Sequence, residues 1–428
     1  MAEVKPFKAV YFDREKADYS KVIMPPYDII KDGEIARYYK RDEHNIIRID
    51  KGMEEEGDNE SSNKYTRAKQ YLDKWMAEGI LIKDQKKNFY IYAEEYLIPG
   101  GKKGEMYGFL ADVKLEEFEK RIVLPHERTH SGPKVDRLQL MRATMANTSP
   151  ILSFYFDKEK KIDKIIRDFA SSNEPYVDTK DEKGCRHRIW HLGDETKVSA
   201  ITGFFVEKQL FIADGHHRYE TGLNFRNEMR ANNVKFKEAD YIMMCLISME
   251  HAGISILPTH RVFREFAHDD MEEAPVLSRF FKVSDVRDSV MLKDIMSRND
   301  GKKCIGVVKK NKCMLLELKE EDYKKSLEKK EHITDYYMLD VSLLHGLLFG
   351  KVLNIPEEYI FRTVEYTQDM DYAVSAVEAD GAKISFIIKP ATIEQVRVIA
   401  ENNEVMPQKS TYFLPKLATG LLINEMKD

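Results

Sequence analysis

One stretch, FIADGHHRYET at residues 211–221, constrains the fold of this chain more than any other. Residues 209–213 have the short apolar pattern of a buried strand, and Asp214-Gly215 permits a tight turn. A polar helix is predicted to begin near His216. The first turn of a helix has N–H groups without intrahelical partners, and its dipole favours negative charge there. The pattern therefore predicts an anion site between a strand and a helix.

We call this strand, turn and helix start, residues 211–221, the elbow. Its side chains extend the prediction from anion binding to catalysis. His216, His217 and Arg218 can donate hydrogen bonds to phosphate oxygens, and Gly215 lets the backbone approach them. Asp214 comes one step earlier, where it can accept a proton or hold a metal ion such as Mg²⁺. A capped surface helix is the alternative interpretation, since Asp is a common capping residue. Acid, imidazoles and guanidinium crowded after a buried strand favour a phosphate-handling catalytic site.

A second polar segment, PHERTHSGP at residues 125–133, contains the letters H-E-x-x-H. A zinc hydrolase would use His126, Glu127 and His130, which requires both histidines on one face of a continuous helix. Pro125 precedes the motif and Ser-Gly-Pro follows it, so such a helix would be interrupted. The sequence instead favours a polar loop over an active site.

Roles for this loop and the helix after it follow from residue type. Arg128 and Lys134 are predicted anion ligands, with Thr129 as a further polar contact. His126, Glu127 or His130 would be available for proton transfer. A helix is expected over residues 134–145, from which Arg137 would also reach a phosphate.

Three other places supply candidate site residues. Pro25 and Pro26 fix an extended turn that would hold Asp28 rigidly, either as a structural turn residue or as a catalytic carboxylate. His260 and Arg261 follow an apolar segment and are candidates for a site at the end of a strand. Lys409, Ser410 and Thr411 lie in a polar turn near the C-terminus and are candidate anion ligands. The C-terminal loop is expected to fold back and complete the site.

Length and composition narrow the class of protein. A chain of 428 residues with a net charge of −5 is expected to form two or three structural units. We divide it at residue 267, into an N-terminal catalytic region (1–267) and a C-terminal α+β region (268–428). The near-balanced charge gives no general attraction to nucleic acid or membranes. The start resembles no signal peptide, and four scattered cysteines favour a reducing cytoplasm.

Periodicity and turn signals give a mixed α/β pattern. Strands are predicted at residues 44–49, 88–98, 106–113, 151–156, 241–248 and 384–388, with further strands between 180 and 201 and a hairpin over 303–318. Helices are predicted at residues 65–78, 134–145, 271–281, 335–349 and 393–401.

Four stretches together resemble one family: VIMPPYDII, PHERTHSGPKVDRLQLMRATMANTSPI, FIADGHHRYET and MPQKSTYFLPKLATG. It is the bacterial and protist family long known only as conserved proteins of unknown function. Some of its members have been identified as kinases that phosphorylate free L-serine with inorganic pyrophosphate. The D-G-H-H-R turn is also similar to that of the ParB/sulfiredoxin superfamily, which includes ADP-dependent serine kinases.

The resemblance implies a ParB/sulfiredoxin-like α/β core, with a C-terminal α+β part packing back on it. It carries Asp214, His216, His217 and Arg218 over as phosphate-site and catalytic residues. Sulfiredoxin-type members need a Cys in this turn, where this chain has His, so thiol repair is not expected. No basic helix-turn-helix of the ParB type is found, so no nucleic-acid partner is expected.

The function expected on this basis is phosphoryl transfer from pyrophosphate to L-serine, with Mg²⁺ or another divalent cation. Asp214 or Asp28 would be base or metal ligand, and which of Asp28, Glu127 and Asp214 takes the serine proton is left open. The cations around the phosphates would be Arg128, Lys134, His216, His217, Arg218 and Lys409. A non-catalytic sensor of a phosphorylated metabolite is the second candidate. Only small-molecule partners are expected, and a homodimer is left open.

Overall fold

The computed structural model describes residues 2–99, 101–127, 131–232, 234, 236–251, 253–266, 268, 271–298, 300–327 and 331–426. The chain forms two compact units. Unit 1 comprises Met1–Ser255 together with Pro415–Asp428, and unit 2 comprises Ile256–Leu414. The division falls before the predicted residue 267, and the last segment of the chain belongs to unit 1.

Unit 1 has a mixed sheet and helices of very different lengths. Its strands are β1 Val4–Lys5, β2 Val10–Phe12, β3 Leu81–Lys83, β4 Phe89–Ile98, β5 Lys102–Lys114, β6 Val123–Leu124, β7 Ala146–Asn147, β8 Ile151–Tyr155, β9 Val177–Lys180, β10 Arg186–Leu192, β11 Leu210–Asp214 and β12 Tyr241–Ser248. Its α-helices are α1 Tyr19–Val22, α2 Ile35–Arg41, α3 Ile47–Asp50, α4 Lys64–Ala77, α5 Ser131–Thr144, α6 Lys161–Ser172, α7 Glu195–Phe205 and α8 His216–Ala231. Short 3₁₀ helices cover Tyr27–Ile29, Asp32–Glu34, Phe118–Lys120 and Lys237–Asp240.

Within the described residues, the main sheet of unit 1 has nine strands, in the order β6-β11-β8-β12-β5-β4-β10-β9, with β1 paired to β5. β12 pairs in parallel with β8 and antiparallel with β5. Its sequence YIMMCLIS is almost entirely apolar, as expected for an interior strand covered on both faces. Together with the helices this sheet confirms the predicted mixed α/β class.

An aromatic cluster holds the core of unit 1 together. The ring of Phe205 lies 4.8 Å from that of Tyr155 and 5.8 Å from that of Phe109. All three residues are almost fully buried. Burying one large apolar side chain contributes about 1.5–3 kcal/mol, so this cluster fixes α7 against the sheet.

The sheet also positions the elbow identified in the sequence. β11 lies between β6, with which it is parallel, and β8, with which it is antiparallel. The register with β8 shifts between Ile212 and Asp214, so the strand ends in a bulge. Helix α8 begins two residues later, at His216. The predicted strand, turn and helix are confirmed.

The C-terminal segment is held by backbone pairing inside unit 1. Its strand Asn424–Glu425 pairs antiparallel with β7. Isolated bridges join Thr419 to Met24 and Ile423 to Val10. These contacts fix residues 419–425 in the unit that carries the elbow, and Lys416 stands three residues before the first of them.

Unit 2 is built on an antiparallel sheet. Its strands are β13 Ser255–Leu257, β14 His260–Phe263, β15 Phe281–Val286, β16 Cys304–Lys309, β17 Lys312–Leu318, β18 Val364–Thr367, β19 Ile384–Ile387 and β20 Tyr412–Leu414. Its α-helices are α9 Leu277–Phe280, α10 Ser289–Ser297, α11 Glu320–Lys325, α12 Thr334–Tyr337, α13 Asp340–Ser342, α14 Glu357–Thr363, α15 Met370–Glu378 and α16 Ile393–Glu401, with a 3₁₀ helix at Met271–Glu273 and a π-helix at Leu343–Val352. Among the residues covered, the main sheet has the order β15-β17-β16-β19-β14-β18. The predicted hairpin over residues 303–318 is confirmed as β16 and β17.

Several predicted elements are wrong. The predicted strand at residues 44–49 is occupied by helix α3, because Asn45 Oδ1 accepts the Ile47 N–H at 3.0 Å and starts a turn. The region 180–201 contains β10 but also most of α7, which Asp194 caps. The predicted helix 271–281 is two short turns leading into β15.

The apolar segment predicted as one helix at 335–349 is broken into α12, α13 and the π-helix. None of the helices in the described ranges is both long and apolar enough to cross a bilayer.

Candidate active site

The turn between β11 and α8 has the conformation that an anion site requires. Gly215 precedes the helix with φ of +97°, a left-handed conformation that glycine adopts without steric cost. Among the described residues, no side chain caps this end of α8. The first N–H groups of a 16-residue helix therefore face the turn, together with the positive end of its dipole.

Asp214 is held between two cations. Its Oδ2 accepts from Arg218 Nη2 at 2.9 Å, and its Oδ1 accepts from Lys416 Nζ at 2.6 Å. Burial raises the pKa of Asp214, but the charges of Lys416 and Arg218 outweigh it and hold the pKa below its ordinary value. Asp214 is therefore an ionised anchor at neutral pH.

Arg218 is folded back beneath the turn. Its side chain is almost fully buried, and Nη1 donates to the carbonyl of Pro150 as well as Nη2 to Asp214. A Cβ at position 215 would lie 3.0 Å from Arg218 Nε. The guanidinium is thus fixed under the elbow, where its charge acts on whatever occupies the anion site.

A pair of buried histidines supports the elbow from the loop before α5. The backbone N–H of His126 donates to His216 Nε2 at 3.2 Å, and the two rings meet edge-on with centroids 4.6 Å apart. His126 Nδ1 lies 2.8 Å from the carbonyl oxygen of Ile212, so Nδ1 carries the proton. Burial lowers the pKa of His126 to about 4 and that of His216 well below its ordinary value. Both imidazoles are therefore neutral at pH 7 and position the turn as uncharged groups.

Asp28 is the second carboxylate of the site. It keeps an exposed edge although protein atoms surround much of it, which is the setting of a carboxyl in the wall of a cleft. This partial burial, and then the negative charge of Asp214, raise the pKa of Asp28, while Arg218 and Lys416 counteract the rise. Asp28 and Asp214 thus have pKa values displaced in opposite directions, the pattern by which two carboxylates acquire different roles.

A cavity of about 300 Å³ is lined in part by Tyr27, the residue before Asp28. Its lining includes three carboxylates and three cations, so its formal charge sums to zero. The lining residues are Tyr27, Asp32, Ile49, Asp50, Lys51, Gly52, Lys64, Tyr65, Gly132, Asp136, Arg137 and Leu140. A smaller space of about 30 Å³, room for about one water molecule, is lined by Arg137, Leu140, Thr148, Arg218 and others.

Arg137 crosses this cavity wall and is fully engaged in ion pairs. Its Nε and Nη2 donate to Asp136 Oδ2 at 2.9 and 2.5 Å, and Nη1 lies 3.3 Å from Asp50 Oδ1. Its guanidinium carbon lies 4.1 Å from the ring centroid of Tyr27. The predicted role of Arg137 on a phosphate stays a prediction; in this structure Arg137 joins Asp28's neighbour Tyr27 to the buried acids.

The remaining predicted residues of unit 1 fall into two groups. Lys134 forms an ion pair with Glu220 of α8 at 2.7 Å, and His217 and Glu127 are half-buried. Arg128, Thr129 and His130 lie outside the described residues. His126 and Glu127 precede α5, which begins at Ser131, so neither lies on the helix that an H-E-x-x-H zinc site uses.

The other predicted site residues all lie in unit 2: His260, Arg261, Lys409, Ser410 and Thr411. Arg261 is fully buried; its Nε donates to His345 Nε2 at 3.0 Å, and its Nη2 lies 3.5 Å from the carbonyl oxygen of Lys409. His260 is equally buried, and burial lowers its pKa to about 4. Ser410 is buried and donates to the carbonyl of Pro407, and Thr411 is half-buried.

The sequence missed two residues that the geometry brings forward. Lys416 lies in the stretch MPQKSTYFLPKLATG but has no predicted role. A Pro-Lys pair after a polar turn is the feature of the sequence that points to it. Asp50 directly follows Ile49 at the end of the segment predicted as a strand, and a carboxylate at that end is the signal for it.

A divalent cation was expected with Asp214 as a ligand. Within the ranges covered, no three His, Cys, Asp or Glu side chains come together as a metal-binding set. Both oxygens of Asp214 are occupied by cations, whereas Asp28 has an exposed edge. Because both oxygens of Asp214 already contact cations, a Mg²⁺ at this site would take most of its ligands from phosphate oxygens and water.

Fold and site together define a class: a mixed α/β protein in which the start of a helix, a largely buried Arg–Asp–Lys cluster and a second carboxylate come together as a candidate anion site. The chain belongs to the family described as Protein of unknown function (DUF1015), whose sequence profile matches residues 4–342. This match confirms the family resemblance and covers three of the four sequence stretches; the fourth, at residues 406–420, lies beyond the matched residues. No curated protein matches the chain significantly.

Solved structures similar to this chain include three distant ones. A free serine kinase mutant in complex with ADP aligns over 75% of this chain and 92% of its own, at 14% identity and a TM-score of 0.37. SbnI with a C-terminal truncation, from Staphylococcus aureus, aligns over 74% and 87%, at 11% identity and a TM-score of 0.36. A conserved hypothetical protein from Pyrococcus furiosus aligns over 68% and 87%, at 13% identity and a TM-score of 0.31.

Proposed function

We propose that this protein is a small-molecule kinase that transfers a phosphoryl group from inorganic pyrophosphate to the hydroxyl of free L-serine. The observation that carries the proposal is the pair Asp28 and Asp214 at the elbow. One carboxylate is held ionised by Arg218 and Lys416, and the other has a raised pKa and an exposed edge. Phosphoryl transfer needs this combination of charge neutralisation and a nearby base.

The roles of the residues follow from their surroundings. The N–H groups at the start of α8 and the charges of Arg218 and Lys416 bind the donor phosphates. Asp28 accepts the proton of the serine hydroxyl, because its raised pKa makes it a stronger base than Asp214, whose pKa is lowered. Asp214 orients the two cations. A Mg²⁺ bound with the donor would neutralise further phosphate charge.

The reaction balances as a single displacement. The serine Oγ forms a bond to one phosphorus of pyrophosphate while the bridging P–O bond breaks. The hydroxyl proton passes to Asp28, and orthophosphate leaves with the bonding electron pair. The choice of L-serine and pyrophosphate is supported by the family resemblance, and the site chemistry supports phosphoryl transfer to a hydroxyl.

The test is a turnover assay with purified protein, L-serine, Mg²⁺ and each of pyrophosphate, ADP and ATP, read by ³¹P NMR for phosphoserine. Product is expected with pyrophosphate. Asp214→Asn and Asp28→Asn are each expected to lower kcat at least about a hundredfold, since charge stabilisation and general-base catalysis each contribute about that much. An unchanged circular dichroism spectrum serves as the fold control. Binding of phosphorylated metabolites without turnover with any donor would favour the sensor instead.

A further inference from the structure

Asp50, which lines the cavity beside Tyr27, has one carboxylate oxygen that accepts no hydrogen bond from the described residues. Asp50 is 1% exposed, and its Oδ1 accepts from Arg137 Nη1 and from Thr148 Oγ1. Its Oδ2 has no hydrogen-bond partner among the described residues. Leaving a buried carboxylate oxygen unpaired costs more than about 1–3 kcal/mol, so this atom needs a partner that the chain does not supply.

The other acids of the cavity are already satisfied. Asp136 accepts from Arg137, from Tyr65 OH at 2.8 Å and from Lys64 Nζ at 3.1 Å. Asp32 is exposed and lies 3.3 Å from Lys51 Nζ. Among the described acids that line the cavity, Asp50 is therefore the buried one with a carboxylate oxygen that accepts no hydrogen bond.

The balance of charges around the cavity narrows the class of ligand that the cavity is expected to bind. Asp32, Asp50 and Asp136 oppose Lys51, Lys64 and Arg137, giving −3 and +3 on the same set of lining residues. A ligand with a net charge would unbalance this desolvated space, whereas a zwitterion brings both signs and no net charge. The volume of about 300 Å³ is at the lower end for small-molecule sites. Tyr27, on the wall, is the direct neighbour of the candidate base Asp28.

We propose that this cavity binds the head group of an amino acid, with the ligand's ammonium donating to Asp50 Oδ2. The inference rests on the proposed function in one respect, since it takes the bound amino acid to be the phosphoryl acceptor. Asp50 is then the residue that selects amino acids over hydroxy acids. It does not take part in the chemical step.

The first test measures binding of L-serine to the full-length protein by calorimetry, alone and with the non-reacting donor analogue methylenebisphosphonate. Asp50→Asn keeps the shape of the side chain and removes its charge. It is expected to weaken L-serine binding at least about tenfold, since a charge-assisted hydrogen bond is lost. Asp73→Asn is the matched control, because Asp73 is exposed on α4 and its ion pair, within the described ranges, is with Lys69. It is expected to change binding less than about twofold.

The second test needs no variant and so decides the matter if Asp50→Asn does not fold. 3-Hydroxypropionic acid has the carboxylate and hydroxyl of serine but lacks the ammonium. The unaltered protein is expected to bind it at least about tenfold more weakly than L-serine. Equal binding of the two compounds, or unweakened L-serine binding by Asp50→Asn, overturns the ammonium site and assigns the open oxygen to a buried water.

Failure of the two proposals can be told apart. Selective L-serine binding without turnover on any donor removes the kinase and leaves the ammonium site standing. Turnover of L-serine with an unchanged acceptor KM in Asp50→Asn removes the ammonium site and leaves the kinase standing.

Discussion

At the scale of single residues, position relative to fixed charges decides what each carboxylate does. Asp28 and Asp214 have the same side chain, yet two cations contact Asp214 directly while Asp28 feels them at a distance. The pKa of one falls and that of the other rises. For the proposed reaction this difference favours Asp28 as the proton acceptor, a role that the sequence left open between Asp28, Glu127 and Asp214.

Lys416→Met tests the ion pair that holds Asp214. The variant is expected to lose about 1–3 kcal/mol of unfolding free energy at pH 7, because a largely buried carboxylate loses one of its two cations. The folded-state pKa of Asp214 is depressed, so this stabilisation is present above the unfolded pKa of about 4 and is lost as pH falls below it. Urea unfolding at pH 7 and near pH 3 measures the difference.

Lys69→Met is the matched control for that measurement. Lys69 pairs with Asp73 on the surface of α4, and exposed pairs contribute about 0–1 kcal/mol. A loss in Lys416→Met that is the same at both pH values, or no larger than that of the control, would contradict the role given to this pair.

Residue types in the sequence predicted part of the candidate site. The remaining contacts join residues that are far apart in the chain, and the sequence did not predict them. Asp214, Arg218 and His216 stand within five positions of one another, so one local pattern revealed them. Lys416 reaches Asp214 across 202 positions, and no local pattern encodes such a contact. Lys134 was predicted as an anion ligand from its charge, but its pairing with Glu220 depends on how α5 packs against α8.

At the scale of elements, the elbow depends on one backbone conformation. Gly215→Ala places a side chain at φ +97° and 3.0 Å from Arg218 Nε. A destabilisation of about 1–3 kcal/mol is expected, because left-handed backbone is costly for alanine and the guanidinium must shift. Thermal unfolding gives the stability, and the donor KM in the kinase assay is expected to rise with it.

Gly203→Ala separates this effect from a general response to glycine substitution. Gly203 lies inside α7, and nothing stands within 4 Å of an added Cβ. The change is expected to be neutral or to stabilise by up to about 1 kcal/mol, as alanine favours helix. Equal destabilisation in both variants would remove the special role of position 215.

Element prediction succeeded where a segment was long and its period clear, as for α4, β12 and the β16–β17 hairpin. It failed at α3, because Ile46, Ile47 and Ile49 are β-branched residues that favour strands. In the structure all three are buried, and the turn begun by Asn45 overrides their local preference. Burial by the rest of unit 1 is information that a short segment does not contain.

At the scale of the whole molecule, the C-terminal segment is tied into unit 1 through a buried acid. Asn424 Nδ2 donates to Asp112 Oδ1 at 2.5 Å. Burial raises the pKa of Asp112 to about 7, although the charge of Lys5 and the Asn424 hydrogen bond lower it. The folded state therefore binds a proton that the unfolded state, with a pKa of about 4, releases.

This linkage predicts how stability changes with pH. As pH rises from about 4 to about 7, the contribution of Asp112 to the free energy of unfolding falls. The reason is that the unfolded state releases its proton in this range, whereas the folded state still holds it. Asp112→Asn is expected to remove this part of the decline and to gain on the order of 1–3 kcal/mol relative to the parent between pH 5 and pH 8. Glu94, whose pKa burial raises to about 7, keeps a residual slope in the variant.

Urea unfolding across that pH range checks the expectation, with Asp73→Asn as the exposed control. A parallel pH profile for Asp112→Asn and the parent protein would show that Asp112 is ionised at no cost in the folded state.

The return of Lys416 to Asp214 has a consequence for biosynthesis. A ribosome that has made the elbow must still add 202 residues before the lysine that completes it exists. In a chain that ends before Lys416, Asp214 has Arg218 as a partner but lacks the second of its two cations. If the protein has the proposed kinase activity, that activity therefore requires a chain that extends at least to Lys416.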